Sequence, residues 1–327
     1  MEYLERLHSA MLRENLPAEY IELCCNYAKD LLAKGLPVIF DKQHLYQMLN
    51  MDGLKSDAYT TFLVKGRNKA RSITAPSRRL KIRQRWILEH ILERINVSDF
   101  AHGFVKGRSI VTNARIHVST KYMLNMDVRH FFPSISSQRV TRVFEEIGYT
   151  HEVAHMLSDL CCYQGALPQG GVTSPYLSNI ICIPLDESIC RYAMSIGCQY
   201  SRYADDITLS GNVPLNSAIE KLTQILTQFN FEVNTEKTRL FDEHQVKRVT
   251  GLIVSDRVRI PKRFKRALKQ EIYYCKKFGG FRHLEHINAG KSVNFQEHIY
   301  GKIYFVNMVE PELGRQLLQQ ANDIVWT

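Results

Sequence analysis

The sequence predicts an α+β fold, because segments with helical spacing and short strand-like stretches are mixed along its 327 residues. One β-hairpin is indicated most directly. Residues 198–202 and 207–210 are short apolar-rich stretches, and Tyr203-Ala204-Asp205-Asp206 lies at the bend between them. Adjacent carboxylates repel each other and are costly to bury unpaired, and a divalent cation would relieve that repulsion. Since Asp is also common in turns, a solvated turn stays open for this stretch alone.

Length and charge narrow the class of protein. At ~100–200 residues per domain, the length predicts two or three packed units, and a hydrophobic content of 45% is enough for a sizeable core. The 43 basic and 33 acidic residues leave a net charge of +10. That excess predicts a polyanionic partner, either nucleic acid or an anionic membrane surface.

The sequence indicates a cytoplasmic protein that is not inserted in a membrane. Its N-terminus lacks the apolar core of about 7–15 residues that a signal peptide requires, and no apolar run reaches the ~18 residues of a transmembrane span. None of the eight cysteines forms a C-x-x-C pair, which disfavours a zinc site or a disulfide framework. Buried free thiols in a reducing compartment are the better interpretation.

The first third of the chain predicts helices around one basic hairpin. Residues 1–50 are typical of helices without recognisable chemistry, one of them ending at Gly35. Residues 60–75 alternate as a hairpin with Gly66 in its turn and basic residues on both sides, which either folds over phosphates or is simply solvated. Residues 78–96 then predict an amphipathic helix.

The middle of the chain places further candidate residues. A glycine-containing loop, His102–Ile110, leads into Asn113-Ala114-Arg115-Ile116-His117, and such a loop is by itself a weak phosphate signal. The stretch Tyr122–Asp127 predicts a strand that ends in an acid. Ligands often bind at the ends of strands, but an Asp at this position can also simply start a turn. A serine-capped helix follows and ends at Gly148.

The next elements are a turn, two helical segments and further strands. Leu167–Pro175 is a rigid turn that feeds an apolar helix, which Pro184 should kink or break. Residues 214–230 predict an amphipathic helix. Phe231–Leu240 is typical of strand, turn and strand, and Val249–Val254 of one further strand.

The segment from Arg257 to Arg282 is the most basic part of the chain. It holds ten Lys or Arg residues and the single acid Glu271, a net charge of +9. Basic residues interleaved with an aromatic suit a nucleic-acid backbone, although a charge run can also be only a solvated face. Pro261 can start a helix whose apolar stripe is Phe264, Leu268, Ile272 and Cys275 and whose other face carries Lys262, Arg266, Lys269, Tyr273 and Lys276.

In combination these elements resemble the palm of reverse transcriptases over about residues 65–254. The resemblance rests on Asp127 at a strand end, Gln169-Gly170 in a Pro-Gln-Gly turn and Tyr-Ala-Asp-Asp on a hairpin, in that order. Flanking matches are the Arg71-x-Ile-x-x-Pro76 stretch, the Gly-Phe-x-x-Gly-Arg-Ser loop and Lys237.

The resemblance implies a right-hand polymerase architecture. Residues 1–50 would be a short N-terminal helical segment, and residues 51–245 the fingers and a palm with an antiparallel sheet. Residues 246–327 would form a helical thumb with a basic RNA-binding helix.

Within this family the chain resembles the bacterial retron reverse transcriptases. Asn113-Ala114-x-x-His117 resembles their Asn-Ala-x-x-His element, and Val249-Thr250-Gly251 resembles the Val-Thr-Gly element by which they select their noncoding RNA. One departure is Pro168–Pro175, Pro-Gln-Gly-Gly-Val-Thr-Ser-Pro, which is closer to the group II intron version. An intron-like or other defence-associated reverse transcriptase without 2′ priming therefore stays open.

The family resemblance implies an RNA-directed DNA polymerase with a two-metal site. Asp127, Asp205 and Asp206 would hold two Mg²⁺ ions, and Lys237 would protonate pyrophosphate or be only a solvated turn lysine. Phe132 would exclude a ribose 2′-hydroxyl, whereas Phe131 is typical of the core. The deoxynucleoside triphosphate would be bound by Lys69, Arg71, Phe132, Gln169 and Tyr203.

The retron resemblance implies a specific substrate and specific partners. The enzyme would bind a structured noncoding RNA, prime from the 2′-hydroxyl of an internal guanosine and make 2′–5′ branched multicopy single-stranded DNA, in antiphage defence. A separate effector protein and host ribonuclease H would be its protein partners. Alternatively, the protein would be mainly a scaffold for nucleic acid and effector. The RNA-binding residues would be Asn113, His117, Val249, Thr250, Gly251, Lys262, Arg266, Lys269 and Lys276.

Overall fold

The structure, a computed structural model, describes residues 2–50, 59–65, 70–286 and 294–326. The α-helices in these ranges are α1 Glu2–Arg13, α2 Ala18–Ala33, α3 Lys42–Met48, α4 Arg78–His90, α5 Ile110–Arg115, α6 Ser137–Ile147, α7 His151–Cys161, α8 Ser174–Ile181, α9 Ile183–Ser195, α10 Asn216–Gln228, α11 Lys262–Phe278, α12 Gly280–His286, α13 Phe295–Val309 and α14 Pro311–Asn322. The strands are β1 Tyr59–Lys65, β2 Ala70–Pro76, β3 Tyr122–Asp127, β4 Gln199–Tyr203, β5 Asp206–Gly211, β6 Arg239–Phe241, β7 Lys247–Val249, β8 Leu252–Val254 and β9 Val258–Arg259.

A four-stranded antiparallel sheet in the order β4-β5-β3-β6 forms the centre of the chain. Because successive side chains of a strand point to opposite faces, β3 serves two hydrophobic cores. Leu124 and Met126 belong to the larger core, whereas Met123 belongs to a second core built mainly by residues 249–324. The predicted α+β class and antiparallel palm sheet are confirmed.

The N-terminal helices pack onto the palm core. Ala28 and Leu31 of α2 and Leu45 of α3 lie in the same buried cluster as the palm residues, and Lys34 Nζ donates a hydrogen bond of 2.6 Å to the Ile147 carbonyl. The prediction of helices in residues 1–50 is confirmed.

The predicted basic hairpin is present as β1 and β2, which pair antiparallel from Tyr59 opposite Pro76. Gly66, which was predicted to lie in its turn, is outside the described residues. The helix predicted for residues 78–96 ends earlier, because α4 stops at His90 and a 3₁₀ turn follows at Leu92–Arg94.

Several helix predictions are confirmed, but α5 and α7 were missed. The apolar helix after residue 174 is broken at Cys182, two residues before Pro184, into α8 and α9. The sequence analysis did not assign α7. Its sequence signals were Thr150, a favoured N-cap residue, and the apolar stripe that follows. In the structure the Thr150 hydroxyl accepts a hydrogen bond of 3.5 Å from the Val153 amide.

Two strand predictions were wrong. Val249–Val254 is not one strand, because Thr250 (φ 46°) and Gly251 (φ 84°) form a turn between β7 and β8. Positive φ at both central residues is what a two-residue hairpin turn of type I′ requires. The first strand predicted within 231–240 is reduced to a single bridge between Val128 and Val233.

The C-terminal part combines the sheet β7-β8-β9 with α11–α14 around the second core. Leu268, Ile272 and Cys275 are the buried face of α11, as predicted. Val111 and Ala114 of α5 also belong to this core, and α5 lies between the palm sheet and the β7-β8-β9 sheet. Among the helices described, none combines the length and apolar character needed to cross a bilayer.

Candidate active site

Three acidic residues lie at one end of the palm sheet. Asp127 is the last residue of β3 and Asp206 the first of β5, and the two lie directly opposite each other in the antiparallel register. Opposed residues of this kind place their Cβ atoms about 4.5–5.5 Å apart on one face of the sheet. Asp205 lies in the turn beside Ala204, and its carbonyl accepts a hydrogen bond of 3.0 Å from the Val128 amide. The predicted positions of these acids, at a strand end and at a hairpin bend, are confirmed.

Asp127 is nearly buried, with 5% of its surface exposed, and both of its oxygens are bound. Lys237 Nζ donates to Oδ2 at 2.7 Å and Asn234 Nδ2 donates to Oδ1 at 3.1 Å. The Asn234 amide also donates to the Asp127 carbonyl at 2.7 Å. Lys237 therefore supplies the counter-charge of Asp127 in this conformation, and Asn234, which the sequence analysis missed, fixes its orientation.

The surroundings of Asp206 disfavour its charged form. Asp206 is exposed at the end of the sheet, but desolvation by the surrounding protein atoms, followed by the negative charges of Asp205 and Asp127, raises its pKa to about 6, while the Lys237 charge acts in the opposite direction. A cation at the carboxylates would remove the repulsive part of that shift.

The donor set suits a divalent metal ion, although the side chains do not converge on one point. Carboxylate oxygens are hard ligands of the kind that Mg²⁺ prefers. Within the described ranges, however, no group of three or more His, Cys, Asp or Glu side chains is close enough together to hold a metal ion. In this conformation Asp127 is paired with Lys237.

A buried ion pair supports the hairpin from inside the core. Arg202 and Asp186 are both fully buried, and Nε and Nη2 of the arginine donate to the two carboxylate oxygens at 2.7 Å each. Arg202 Nη1 also donates to the Ala204 carbonyl at 3.2 Å, and Tyr200 donates its hydroxyl to Asp186 at 2.7 Å. The pair thus holds the backbone of the acidic turn. The sequence analysis missed both residues, although an arginine within an apolar strand was a signal.

The Gly-Phe loop packs directly on the acidic turn. A Cβ atom at Gly103 would lie 2.8 Å from the Ala204 amide nitrogen, so only glycine allows this approach. The Gly103 carbonyl accepts from Asn179 Nδ2 at 2.8 Å. Phe104 is 48% exposed, and its ring centroid is 6.4 Å from those of both Phe132 and Tyr203. The sequence analysis gave Phe104 no role of its own, yet it joins two predicted nucleotide-binding residues.

Phe132 and its neighbour Phe131 differ in burial. Phe132 is half-buried beside Phe104, whereas Phe131 is buried and its ring stacks at 5.7 Å on Phe231. This placement agrees with an accessible Phe132 and a core Phe131.

The Pro-Gln-Gly turn joins the palm to the β1–β2 hairpin. Gln169 is exposed, and its carbonyl accepts from the Thr74 amide of β2 at 3.0 Å. Buried Gln84, missed in the sequence analysis, donates to the Leu160 carbonyl at 2.8 Å and accepts from the Val172 amide at 2.9 Å. Arg71 lies in β2 opposite Val64, and Lys69 lies outside the described residues.

Two predicted RNA-binding residues are in the interior. Asn113 and His117 are 1% and 0% exposed, so the prediction that their side chains contact RNA is wrong in this conformation. Their polarity is used inside the protein, in hydrogen bonds to Ser201 and Ser210. Val249 is also buried, which leaves half-buried Thr250 and exposed Gly251 as the accessible part of that element.

The basic face of α11 is accessible, as predicted. Lys262, Arg266 and Lys269 are exposed, and they form no ion pair with any residue that the structure describes. Lys276 is exposed too, but its Nζ lies 2.9 Å from Asp323 Oδ2.

The sheet presents acids from two adjacent strands and a turn, beside an aromatic cluster. This arrangement is typical of the palm of a template-directed polymerase. The comparisons with known proteins agree. Residues 58–254 match the family described as reverse transcriptase (RNA-dependent DNA polymerase).

Several similar proteins are retron enzymes. The retron Ec86 reverse transcriptase of Escherichia coli is 36% identical over 253 residues, which cover 76% of this chain and 75% of that protein. The retron Mx162 reverse transcriptase of Myxococcus xanthus is 31% identical over 290 residues, which cover 78% of this chain and 58% of that protein. A solved structure of telomerase from Candida albicans with a fragment of telomeric RNA aligns at 12% identity and a TM-score of 0.43, over 79% of this chain and 54% of that chain.

The chain therefore belongs to the reverse transcriptases, enzymes that polymerise DNA on an RNA template with the help of divalent metal ions. Within that family it belongs with the retron reverse transcriptases.

Proposed function

We propose that this retron reverse transcriptase copies part of its own structured noncoding RNA, starting from the 2′-hydroxyl of an internal guanosine. The product is a multicopy single-stranded DNA joined to the RNA by a 2′–5′ linkage. The similarity to retron enzymes over three quarters of the chain is the observation that carries this proposal. Antiphage defence, a separate effector protein, host ribonuclease H and a cytoplasmic location belong to the same proposal.

In this proposal Asp127, Asp205 and Asp206 hold two Mg²⁺ ions at the end of the palm sheet. Such a metal pair supplies activation of the attacking hydroxyl and stabilisation of the leaving pyrophosphate. Lys237 exchanges its carboxylate partner for the triphosphate, where its ammonium group delivers a proton to pyrophosphate. The exposure of Lys237, 55% of its side chain, supports this movement.

The incoming nucleotide lies between the palm and the β1–β2 hairpin. Lys69 and Arg71 bind its phosphates, Gln169 touches the nucleotide or template, and Tyr203 lies near the primer end. Phe132 lies under the sugar and excludes the 2′-hydroxyl of a ribonucleotide. The contact of the Pro-Gln-Gly turn with β2 and the 6.4 Å separation of Phe104 from Phe132 and Tyr203 support this arrangement.

The noncoding RNA runs along the C-terminal part of the chain. Thr250 and Gly251 meet it at the tip of the β7–β8 hairpin, and the basic face of α11 binds its phosphates. The exposure of Lys262, Arg266 and Lys269 supports this path, since such contacts dominate the affinity for nucleic acids.

The test is to extract the nucleic acid that co-purifies with the protein from cells carrying its locus. A branched RNA–DNA molecule should appear, with a DNA part that resists RNase and a linkage that debranching enzyme cleaves. Asp205→Asn is the matched control, and it should carry the RNA without DNA. DNA without any RNA linkage would contradict 2′ priming, and full extension by the Asp205→Asn protein in Mg²⁺ would contradict the assignment of the carboxylates.

A second candidate is an intron-like or other defence-associated enzyme without 2′ priming. The sequence Pro-Gln-Gly-Gly-Val-Thr-Ser-Pro at residues 168–175 favours it. In the same extraction this candidate predicts a homogeneous intron RNA, or an unbranched DNA product.

A further inference from the structure

The Asn-Ala-x-x-His element forms a continuous hydrogen-bond chain with both strands of the acidic hairpin. Ser201 of β4 donates its hydroxyl to Asn113 Oδ1 at 2.6 Å. His117 Nε2 lies 2.7 Å from Ser201 Oγ, and His117 Nδ1 lies 2.7 Å from Ser210 Oγ of β5. Asn113, His117, Ser201 and Ser210 are each at most 1% exposed.

The direction of every bond in this chain follows from the number of protons. Ser201 has one hydroxyl proton, which it gives to Asn113, so its oxygen must accept from Nε2–H of His117. Nδ1 of the neutral imidazole is then an acceptor, and Ser210 donates to it. Burial, with a smaller effect of the His102 charge, lowers the pKa of His117 to about 3, so the ring stays neutral throughout the physiological range, and its two hydrogen bonds fix the tautomer.

This chain of hydrogen bonds lies on the face of the sheet that carries Asp206. Asp206 and Ser210 are four residues apart in β5, and residues separated by an even number share one face of a strand. Ser201 is opposite Thr208, between them on that face.

Strand β4 needs this support because it lies at the edge of the four-stranded sheet. Among the described strands it pairs with β5 alone. On its other side it has an isolated bridge between Arg202 and Ala101. The bonds from α5 and the following turn therefore hold a strand that has little backbone pairing on its outer side.

We propose that Asn113 and His117 are positioning residues for Asp205 and Asp206, and that they act through Ser201 and Ser210 and not through contact with RNA. Hydrogen bonds from α5 and the turn after it to both strands of the hairpin would fix the position of the acidic turn relative to the substrate. An error of about 1 Å at a reacting centre can lower a rate by about a hundredfold. The inference rests on the proposed polymerase activity and gives the Asn-Ala-x-x-His element a role within it.

The two explanations predict opposite effects of His117→Ala. A positioning role predicts that the dissociation constant for the noncoding RNA changes less than twofold. The single-turnover rate of nucleotide addition by the preformed complex should fall by about tenfold or more. Direct RNA contact predicts a weaker complex that extends at the normal rate once it is saturated, and that result would overturn the proposal.

Milder variants separate positioning from loss of the fold. Ser210→Ala removes one hydrogen bond only, and His117→Gln retains a donor for Ser201, so both should lie between wild type and His117→Ala in rate. Ser158→Ala is the matched control, because it removes a buried hydroxyl of α7 that bonds the Ser137 carbonyl at 3.0 Å, away from the hairpin. It should lower the melting temperature without lowering the rate. A rate that merely followed melting temperature across all four variants would refute positioning.

Hydrogen–deuterium exchange supplies a measurement that does not depend on catalysis. His117→Ala should speed exchange of the amides of residues 203–207, and Ser158→Ala should leave them unchanged. Unchanged exchange in His117→Ala would overturn the proposal. Wild-type extension in the same preparation reports on the polymerase activity itself, so the two failures are distinguishable.

Discussion

Lys237 Nζ lies 2.7 Å from Asp127 Oδ2, so an internal cation occupies the carboxylate at which the proposed metal ions bind. The lysine side chain is 55% exposed and the aspartate side chain 7%. An accessible charge is thus paired with an enclosed one. In this arrangement the lysine neutralises a buried acid, and under the proposed mechanism a divalent ion would displace it from Asp127.

The first prediction concerns that pair. Lys237→Ala should lower the free energy of unfolding in EDTA by about 1–3 kcal/mol, because Asp127 loses its counter-charge while still buried. The same variant should gain more stability from Mg²⁺ than wild type does, since no internal cation competes. Urea unfolding with and without Mg²⁺ measures both effects. Lys221→Ala, an exposed lysine of α10, is the control, and an equal Mg²⁺ effect in all three proteins would contradict competition.

The second prediction follows from the raised pKa of Asp206. A carboxyl group whose pKa is higher in the folded state opposes folding when it is charged, so its unfavourable contribution grows as the pH rises from about 4 to about 6. In EDTA, Asp206→Asn should therefore stabilise the protein above pH 6 and have little effect below pH 4. Mg²⁺ should reverse this advantage, because the asparagine lacks the charge that binds the cation.

Stability measured from pH 4 to 8 tests this prediction. Asp30→Asn, at an exposed position of α2, controls for the removal of any surface charge. A stabilisation by Asp206→Asn that did not vary with pH would mean that the carboxylates are not repelling one another.

The acids could be predicted from sequence because each depends on local structure. A strand ending in Asp127 and a two-strand hairpin around Asp205 and Asp206 are both indicated by short apolar-rich stretches next to the acids. The partners that complete the site come from far along the chain. Asn234 is 107 residues from Asp127, and Gln84 is 88 residues from Val172, and no pattern in the sequence joins such pairs.

Polar residues were the main source of error, because polarity does not reveal whether a side chain is solvated or buried with partners. Asn113 and His117 looked like surface residues until Ser201 and Ser210 supplied their hydrogen bonds. The turn at Thr250 was missed for a different reason, since β-branched residues rarely adopt positive φ. The apolar residues around it looked like one continuous strand.

The third prediction concerns the buried pair beneath the hairpin. Asp186→Asn should destabilise the protein by about 3–5 kcal/mol, because it leaves Arg202 charged, buried and unpaired. Replacing both residues together, with Arg202→Met and Asp186→Leu, should recover most of that stability. The double variant should still extend primers slowly, because the Ala204 carbonyl no longer has its donor. Chemical unfolding and primer extension measure the two quantities, and full activity in the double variant would show that the pair does not hold the turn.

The fourth prediction tests the sugar-binding role of Phe132. Phe132→Ala should raise incorporation of ribonucleotides relative to deoxynucleotides, because it opens space where a 2′-hydroxyl would lie. Phe281→Ala, an exposed aromatic of α12, is the control. The ratio of kcat/KM for the two nucleotides is the measurement. An unchanged ratio in Phe132→Ala would assign the steric gate to another side chain.

The last prediction concerns the path of the RNA along α11. Substituting Lys262, Arg266 and Lys269 with glutamine should weaken RNA binding and reduce the slope of log K against log salt by about 2–3, about one for each phosphate that is no longer neutralised. The control is a triple substitution of Lys29, Arg191 and Lys221 with glutamine, which removes the same charge from exposed positions on α2, α9 and α10. Long-range attraction depends on the total charge of the protein, whereas counterion release depends on local contacts with phosphates. The control should therefore weaken RNA binding slightly without changing the salt slope. Equal slopes for the two triple variants would show that the RNA follows another surface.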